Sequence, residues 1–223
     1  MYNSFMSKRI SFFLCGAFLF LVFVFFSYLV HKDIFTQFDF DTTVRLQNNI
    51  SRRLDTIFSA FSDIGKFEIM LVLLVAIFAV VRRVLAGFIA IILFFGFHLF
   101  ELFGKFYVDH TPPPQFMLRT ETVFDFPQFH IRADNSYPSG HAGRTMFLST
   151  ILLVLIWQAR GLNNPLKLFL SICIIGFDIV MLVSRVYLGE HWTTDVIGGS
   201  VLGMALGLFS GIFVMRRSKV KRK

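Results

Sequence analysis

Charge is scarce in this sequence: Asp, Glu, Lys and Arg together make 16% of its 223 residues. That is too few to coat a water-soluble globule of this size, so a soluble domain is excluded. Cysteine is scarcer still. The two present, Cys15 and Cys173, sit inside apolar stretches, which excludes a disulfide framework and a cysteine zinc site. Carboxylates do not cluster anywhere, so no dense ligand set for a metal ion is offered. Internal repeats, a second soluble domain and a low-complexity linker are also missing.

What fills the sequence instead is apolar residues, 55% of the total with 31 Phe, at a mean hydropathy of +0.67. They come in blocks at 10–30, 67–81, 84–104, 145–159, 168–184 and 196–215. Each block can form a helix across the ~30 Å hydrocarbon core of a bilayer. The expectation is an all-α integral membrane protein, a six-helix bundle forming one domain over residues 1–223. The first block follows Lys8 and Arg9 as a signal sequence would, but it is 21 residues long and lacks an A-x-A-like cleavage site. It reads as an uncleaved span. The blocks at 67–81 and 145–159 hold 15 residues each, about 22 Å of helix. They are expected either to extend into flanking residues or to meet a site dipping below the membrane surface.

Six spans put both termini on one side. With Met1 in the cytoplasm, segments 1–9, 82–83, 160–167 and 216–223 hold 12 Lys and Arg in 27 residues, and the outer segments 31–66, 105–144 and 185–195 hold 10 in 87. The net charge of +8 is therefore read as membrane orientation, not as a nucleic-acid footprint. The tail Arg216 to Lys223 is the strongest cytoplasmic marker and can also meet anionic lipid. In the outer segment 31–66, Leu46, Ile50, Leu54, Ile57, Phe58 and Phe61 recur at helical spacing. They predict an amphipathic helix at the outer interface, capped by Asp41 or Thr42 and ended by Gly65.

The outer loops gather chemistry that is rare elsewhere: Lys105, Asp109, His110, Arg119, Arg132, Ser139, His141 and Arg144 in one, and Arg185, Glu190, His191 and Asp195 in the other. In Ser184-Arg185-x5-His191-x3-Asp195 the carboxylate lies one helical turn beyond the imidazole. Either it accepts from Nδ1 and leaves Nε2 as a nucleophile or base, or it caps the last helix. Tyr137-Pro138-Ser139-Gly140-His141 precedes the fourth span, where free backbone N–H groups favour an anion. Taken alone it reads first as an ordinary turn and helix start and only second as a catalytic segment. Asp178 lies within the fifth span, two turns before Arg185, and an intramembrane carboxylate needs a partner, Arg185 or a polar group such as His98. Glu101 and Glu190 read as interface residues. Gly199, Gly203 and Gly207, at four-residue spacing, suit close helix packing within or between chains, so oligomeric state is left open.

Together, Pro138-Ser139-Gly140-His141 and Ser184-Arg185-x5-His191-x3-Asp195 resemble two of the three motifs of the type 2 phosphatidic acid phosphatase superfamily, the membrane lipid phosphate phosphatases. The third family motif, Lys-x6-Arg-Pro, is matched by Lys105 and Pro113, but Pro112 stands where the Arg belongs. His110, Arg119 or Arg132 of the same loop are candidates to replace that cation.

The resemblance implies a metal-independent phosphatase without cofactor, acting on lipid phosphate or diphosphate monoesters at the extracytoplasmic face of the plasma (inner) membrane. It implies His191 as the nucleophile forming a phosphohistidine, Asp195 as its orienter and His141 as the proton donor. Lys105, Ser139, Gly140 and Arg185 are implied to hold the phosphoryl oxygens. The implied partners are the lipid phosphate and membrane lipids. A phosphotransferase of the same family, or a non-catalytic lipid-binding or transport relative on account of Pro112, are the alternatives.

Overall fold

The computed structural model describes residues 2–122 and 135–215. Arg132 and the basic tail at 216–223, both singled out above, lie outside the described residues. Among the described residues there is no β-strand. The helices are α1 (Tyr2–His31), α2 (Thr36–Asn49), α3 (Asp55–Asp63), α4 (Phe67–Val81), α5 (Val84–Tyr107), α6 (Gly140–Gln158), α7 (Asn164–Tyr187) and α8 (Thr193–Val214).

Among the described residues, α1, α5, α6, α7 and α8 are each long and apolar enough to cross a bilayer. A sixth span arises when Arg52–Asp63 and α4, bent by 52° at a short break, are taken as one. The chain is a multi-pass, all-helical membrane protein. The short 67–81 block is thus approached by a bent helix, and the block at 145–159 extends upstream, because α6 starts at Gly140.

Helices α6 and α8 form the centre, and α1, α5 and α7 surround it. More than half of the apolar window of α6 and α8 is buried, against 17% for α1 and α7. Phe13, Phe18, Phe25, Phe88, Phe103 and Phe169 are exposed on the outer helices, a surface that suits lipid tails. Lipid gives helices no hydrophobic reason to associate, so backbone approach and dispersion must hold them. A Cβ on Gly207 would lie 2.7 Å from Thr150 Cβ and 3.0 Å from the Phe147 carbonyl oxygen. The glycine stripe of α8 therefore serves packing within the chain, against α6.

The outer amphipathic segment is two helices where one is expected. Ile50 and Ser51 are extended, and Ser51 caps a one-turn 3₁₀ helix at Arg52–Leu54 by accepting from Arg53 N–H. The apolar stripe read across 46–61 is therefore divided between α2 and α3. Helix α3 packs on α7 through Phe61 against Phe177 and Phe58 against Tyr187, with ring centroids 4.9 and 5.2 Å apart, while Ile57 stays 60% exposed.

Candidate active site

Helices α4, α6 and α8 begin, and α5 and α7 end, around one cavity of about 680 Å³. Its polar wall carries His141 and Arg144 from α6, Arg185 from α7, His191 from the α7–α8 turn, Lys105 and Glu101 from α5, and Lys66 beside α4. Phe67, Phe95, Leu102 and Leu118 supply an apolar wall. The two motif histidines, 50 positions apart in the sequence, thus border a single space.

His191 is positioned by a tight turn. Gly189 has φ +70 and a Cβ there would meet the Met117 backbone carbon at 2.8 Å, so only glycine fits without strain. The Nδ1 of His191 lies 3.2 Å from Asp195 Oδ2, one turn along α8 as the spacing predicts. Asp195 also accepts from Trp192 N–H at 3.0 Å, so orienting the imidazole and capping α8 are done by the same carboxylate. Because the carboxylate only accepts, the proton sits on Nδ1 and Nε2 carries the lone pair. Burial is the main force that pulls the His191 imidazole down to about 4, with Arg185 and Lys105 adding to it and Asp195 opposing it. At neutral pH the ring is uncharged.

His141 has the opposite neighbour. Its Nδ1 is 3.4 Å from an Arg144 guanidinium nitrogen, and a guanidinium can only donate. Arg144 is 6% exposed and is held by the Gly65 carbonyl at 3.0 Å and by Glu101 at 3.2 Å. Glu101 in turn is 3.0 Å from His98. The N-termini of α6 and α8 are fastened together by Ser139 N–H donating to the Asp195 carbonyl at 3.0 Å.

The oxyanion-binding candidates divide. Lys105, Gly140 and Arg185 line the cavity. Arg185 donates to Ser62 and to Glu190, and Glu190 is tied to Thr120 at 2.6 Å. Ser139 is fully buried, its hydroxyl has no partner among the described residues, and it is not part of the cavity wall. Pro112 and Pro113 do border the cavity. Of the candidates to replace the missing cation, Arg119 stacks 5.2 Å over the Tyr187 ring and His110 turns to Asp195 at 2.7 Å, so neither fills the gap. The cations that do border the cavity there are Lys66, 2.8 Å from Asp63, and Arg144. Lys66 was not singled out by sequence; its one signal is a lone cation directly before an apolar block on the outer side. Asp178 meets neither proposed partner and instead accepts from Ser149 at 2.6 Å, since α6 and not α5 faces it. Glu101 and Glu190, read as interface residues, both lie on the cavity wall.

Among the described residues no cluster of three metal-ligating side chains occurs. A family model described as the PAP2 superfamily matches residues 83–219. The Escherichia coli (strain K12) protein named "Putative undecaprenyl-diphosphatase YbjG" is 37% identical over 75 residues, 34% of this chain and 33% of that protein. The chain therefore matches about a third of that relative's length. Two solved structures share the fold. A transmembrane PAP2 type phosphatidylglycerolphosphate phosphatase from Bacillus subtilis covers 87% of this chain and 93% of its own at TM-score 0.70 and 22% identity. Aquifex aeolicus LpxE covers 78% and 94% at TM-score 0.57 and 20% identity.

Proposed function

Because the chain belongs to the PAP2 superfamily, we propose that it is a membrane phosphatase that removes a terminal phosphoryl group from a lipid phosphate or diphosphate through a phosphohistidine. One observation carries this reading: His141 and His191 border one cavity whose lining combines four cations with Phe67, Phe95 and Leu102. The cations suit a phosphoryl group and the apolar residues suit the chain attached to it.

In the proposed reaction the Nε2 lone pair of His191 forms a bond to phosphorus, while the bond from phosphorus to the lipid oxygen breaks and its electron pair leaves with that oxygen. Asp195 keeps the proton on Nδ1 and stabilises the positive charge that develops on the ring. His141, whose Nδ1 accepts from Arg144, gives its Nε2 proton to the leaving oxygen and passes through an imidazolate whose charge the Arg144 guanidinium balances until water returns the proton. Water then attacks phosphorus, releases inorganic phosphate and restores His191, with His141 taking the water proton. Phosphoryl transfer needs fixed positive charge and donors more than covalent assistance. Lys105, Arg185 and the Gly140 N–H are the proposed donors, joined by Lys66 in place of the cation missing at Pro112, while Ser139, buried behind the wall, is left out of the set.

The mouth is proposed to face the extracytoplasmic side of the plasma (inner) membrane, with both termini cytoplasmic. The support is the density of Lys and Arg in segments 1–9, 82–83, 160–167 and 216–223. A non-catalytic relative is the reading that Pro112 favours, and a phosphotransferase differs only in the acceptor.

The test is a screen of purified protein in detergent against phosphatidic acid, phosphatidylglycerol phosphate and polyprenyl diphosphates, with His191→Ala as the blank. Phosphate is expected from at least one lipid and none from the variant. Full activity in His191→Ala overturns the nucleophile. Binding without any turnover favours the non-catalytic relative, and a phosphorylated lipid product in place of phosphate favours transfer.

A further inference from the structure

One imidazole lies behind the cavity. His110, in the loop after α5, is 8% exposed and does not border the cavity, yet its Nδ1 is 2.7 Å from Asp195 Oδ1. That is shorter than the 3.2 Å from His191 to the other oxygen of the same carboxylate. On its far side, His110 Nε2 is 3.7 Å from Asp39 Oδ2 on α2. Asp39, 2% exposed, is gripped by Thr194 of α8, whose N–H and hydroxyl donate to it at 2.8 and 2.6 Å.

The loop backbone is clamped as firmly as the ring. His110 N–H donates to Asn135 Oδ1 at 3.1 Å, and Ser136 N–H and hydroxyl donate to the His110 carbonyl at 2.9 and 3.1 Å. The result is a buried row of four groups, Asp39, His110, Asp195 and His191.

Resting on the reading of His191 as nucleophile, we propose that His110 is a positioning residue that fixes the Asp195 carboxylate from behind and balances its charge against Asp39. Oδ2 alone could serve His191, but a carboxylate held by one oxygen can still rotate about its Cβ–Cγ bond. The bond to Oδ1 removes that freedom. Charge points the same way. With His110 protonated and His191 neutral the row carries one net negative charge, which is cancelled when His191 becomes a cationic phosphohistidine ring. Without the His110 proton, only a neutral ring separates two buried carboxylates, an arrangement that drives one of them to protonate. Burial pulls the His110 imidazole down, but the Asp195 hydrogen bond and the charges of Asp195, Asp39 and Asp33 outweigh it, so its pKa is raised.

The experiment uses full-length protein in detergent and the best lipid from the screen. His110→Ala is expected to lower kcat by roughly 10–100-fold, the scale of losing a hydrogen-bonded partner that orients a metal-ligating histidine, with KM nearly unchanged. His110→Gln, which keeps an N–H donor, is expected to recover part of the loss. Around His110 stand Asp195 from α8, Asp39 from α2 and Asp33 from the α1–α2 turn; around His191 stand Asp195, Arg185, Lys105 and His141. In His110→Ala a positive charge leaves this set, so the acid limb of kcat is expected to move to higher pH. Unchanged kcat and pH profile, or a rise in KM alone, overturns the proposal.

Should His110→Ala fail to fold, ¹⁵N-histidine NMR of the wild type decides the question. Two low-field imidazole protons are expected, and only one is lost in His191→Ala. A single such proton overturns it. Activity retained in His191→Ala counts against the nucleophile assignment and not against the His110 contact, which the NMR reads independently.

Discussion

On the α7–α8 side of the cavity the Nδ1 of His191 faces a carboxylate at 3.2 Å, whereas on the α5–α6 side the Nδ1 of His141 faces a guanidinium at 3.4 Å. The two rings are the same chemical group, and the neighbours make them different. A carboxylate holds a proton on Nδ1, which leaves a lone pair on Nε2; a guanidinium claims the Nδ1 lone pair, which leaves the proton on Nε2. One ring is thereby prepared to attack and the other to donate. The proposed roles rest on this contrast in tautomer more than on the identity of either histidine.

The strongest way to break the contrast is to make the two walls alike. Asp195→Asn puts an amide at Nδ1 of His191 and permits the tautomer that has its proton on Nε2, where it blocks attack. A comparable change of a triad carboxylate costs about 10⁴-fold in kcat, and a loss on the order of 10³–10⁴-fold is expected here, read by phosphate release. The same substitution removes the group that opposes burial at His191, so its imidazole is expected to titrate below about 4, followed by NMR. A kcat within about tenfold of wild type would remove the carboxylate from the mechanism.

One half of this asymmetry, the Asp195 contact, is legible in the sequence, and the Arg144 contact to His141 is not. The His-x3-Asp spacing on a helix start forecasts the Asp195 contact, and the six apolar blocks forecast the helices, because both are local consequences of helical period and bilayer thickness. What escaped were contacts between segments far apart in the chain. Glu101 meets Arg144 across 43 positions, His110 meets Asp195 across 85, and Thr194 meets Asp39 across 155. No periodicity reports such pairs. The break at Ile50 and Ser51 escaped for a different reason: the apolar spacing runs on through it while the backbone turns extended. Beyond preceding an apolar block, Lys66 carries no signal of its own in the sequence; it reaches the cavity at the 52° bend between α3 and α4.

The His141 wall is tested by removing its guanidinium. Arg144→Met together with Glu101→Gln, which avoids stranding a buried carboxylate, frees the tautomer of His141. A fall in kcat of about 100-fold on a lipid monoester is expected, at the lower end of the roughly 10²–10⁴-fold that general-acid catalysis supplies. The diagnostic is the leaving group. p-Nitrophenyl phosphate departs without needing a proton, so its hydrolysis is expected to suffer much less. An equal loss on both substrates would mean that Arg144 holds the phosphoryl group and does not set the proton on His141.

The smallest expected effect sharpens the same comparison by asking which wall replaces the cation absent at Pro112. Lys66 is 8% exposed, sits 2.8 Å from Asp63 and borders the cavity beside Arg144. It is placed to meet the phosphoryl charge together with Arg185 in the same cavity. Were it a substitute for the motif cation, Lys66→Met would weaken ground-state and transition-state binding alike. KM is then expected to rise about tenfold with kcat little changed, a loss of about 1.4 kcal/mol of uniform binding. A fall in kcat at constant KM would instead place Lys66 among the groups that act only in the transition state. No change in either would leave Arg144 and Lys105 to carry that side, and would make Lys66 a partner of Asp63 that secures the bend between α3 and α4.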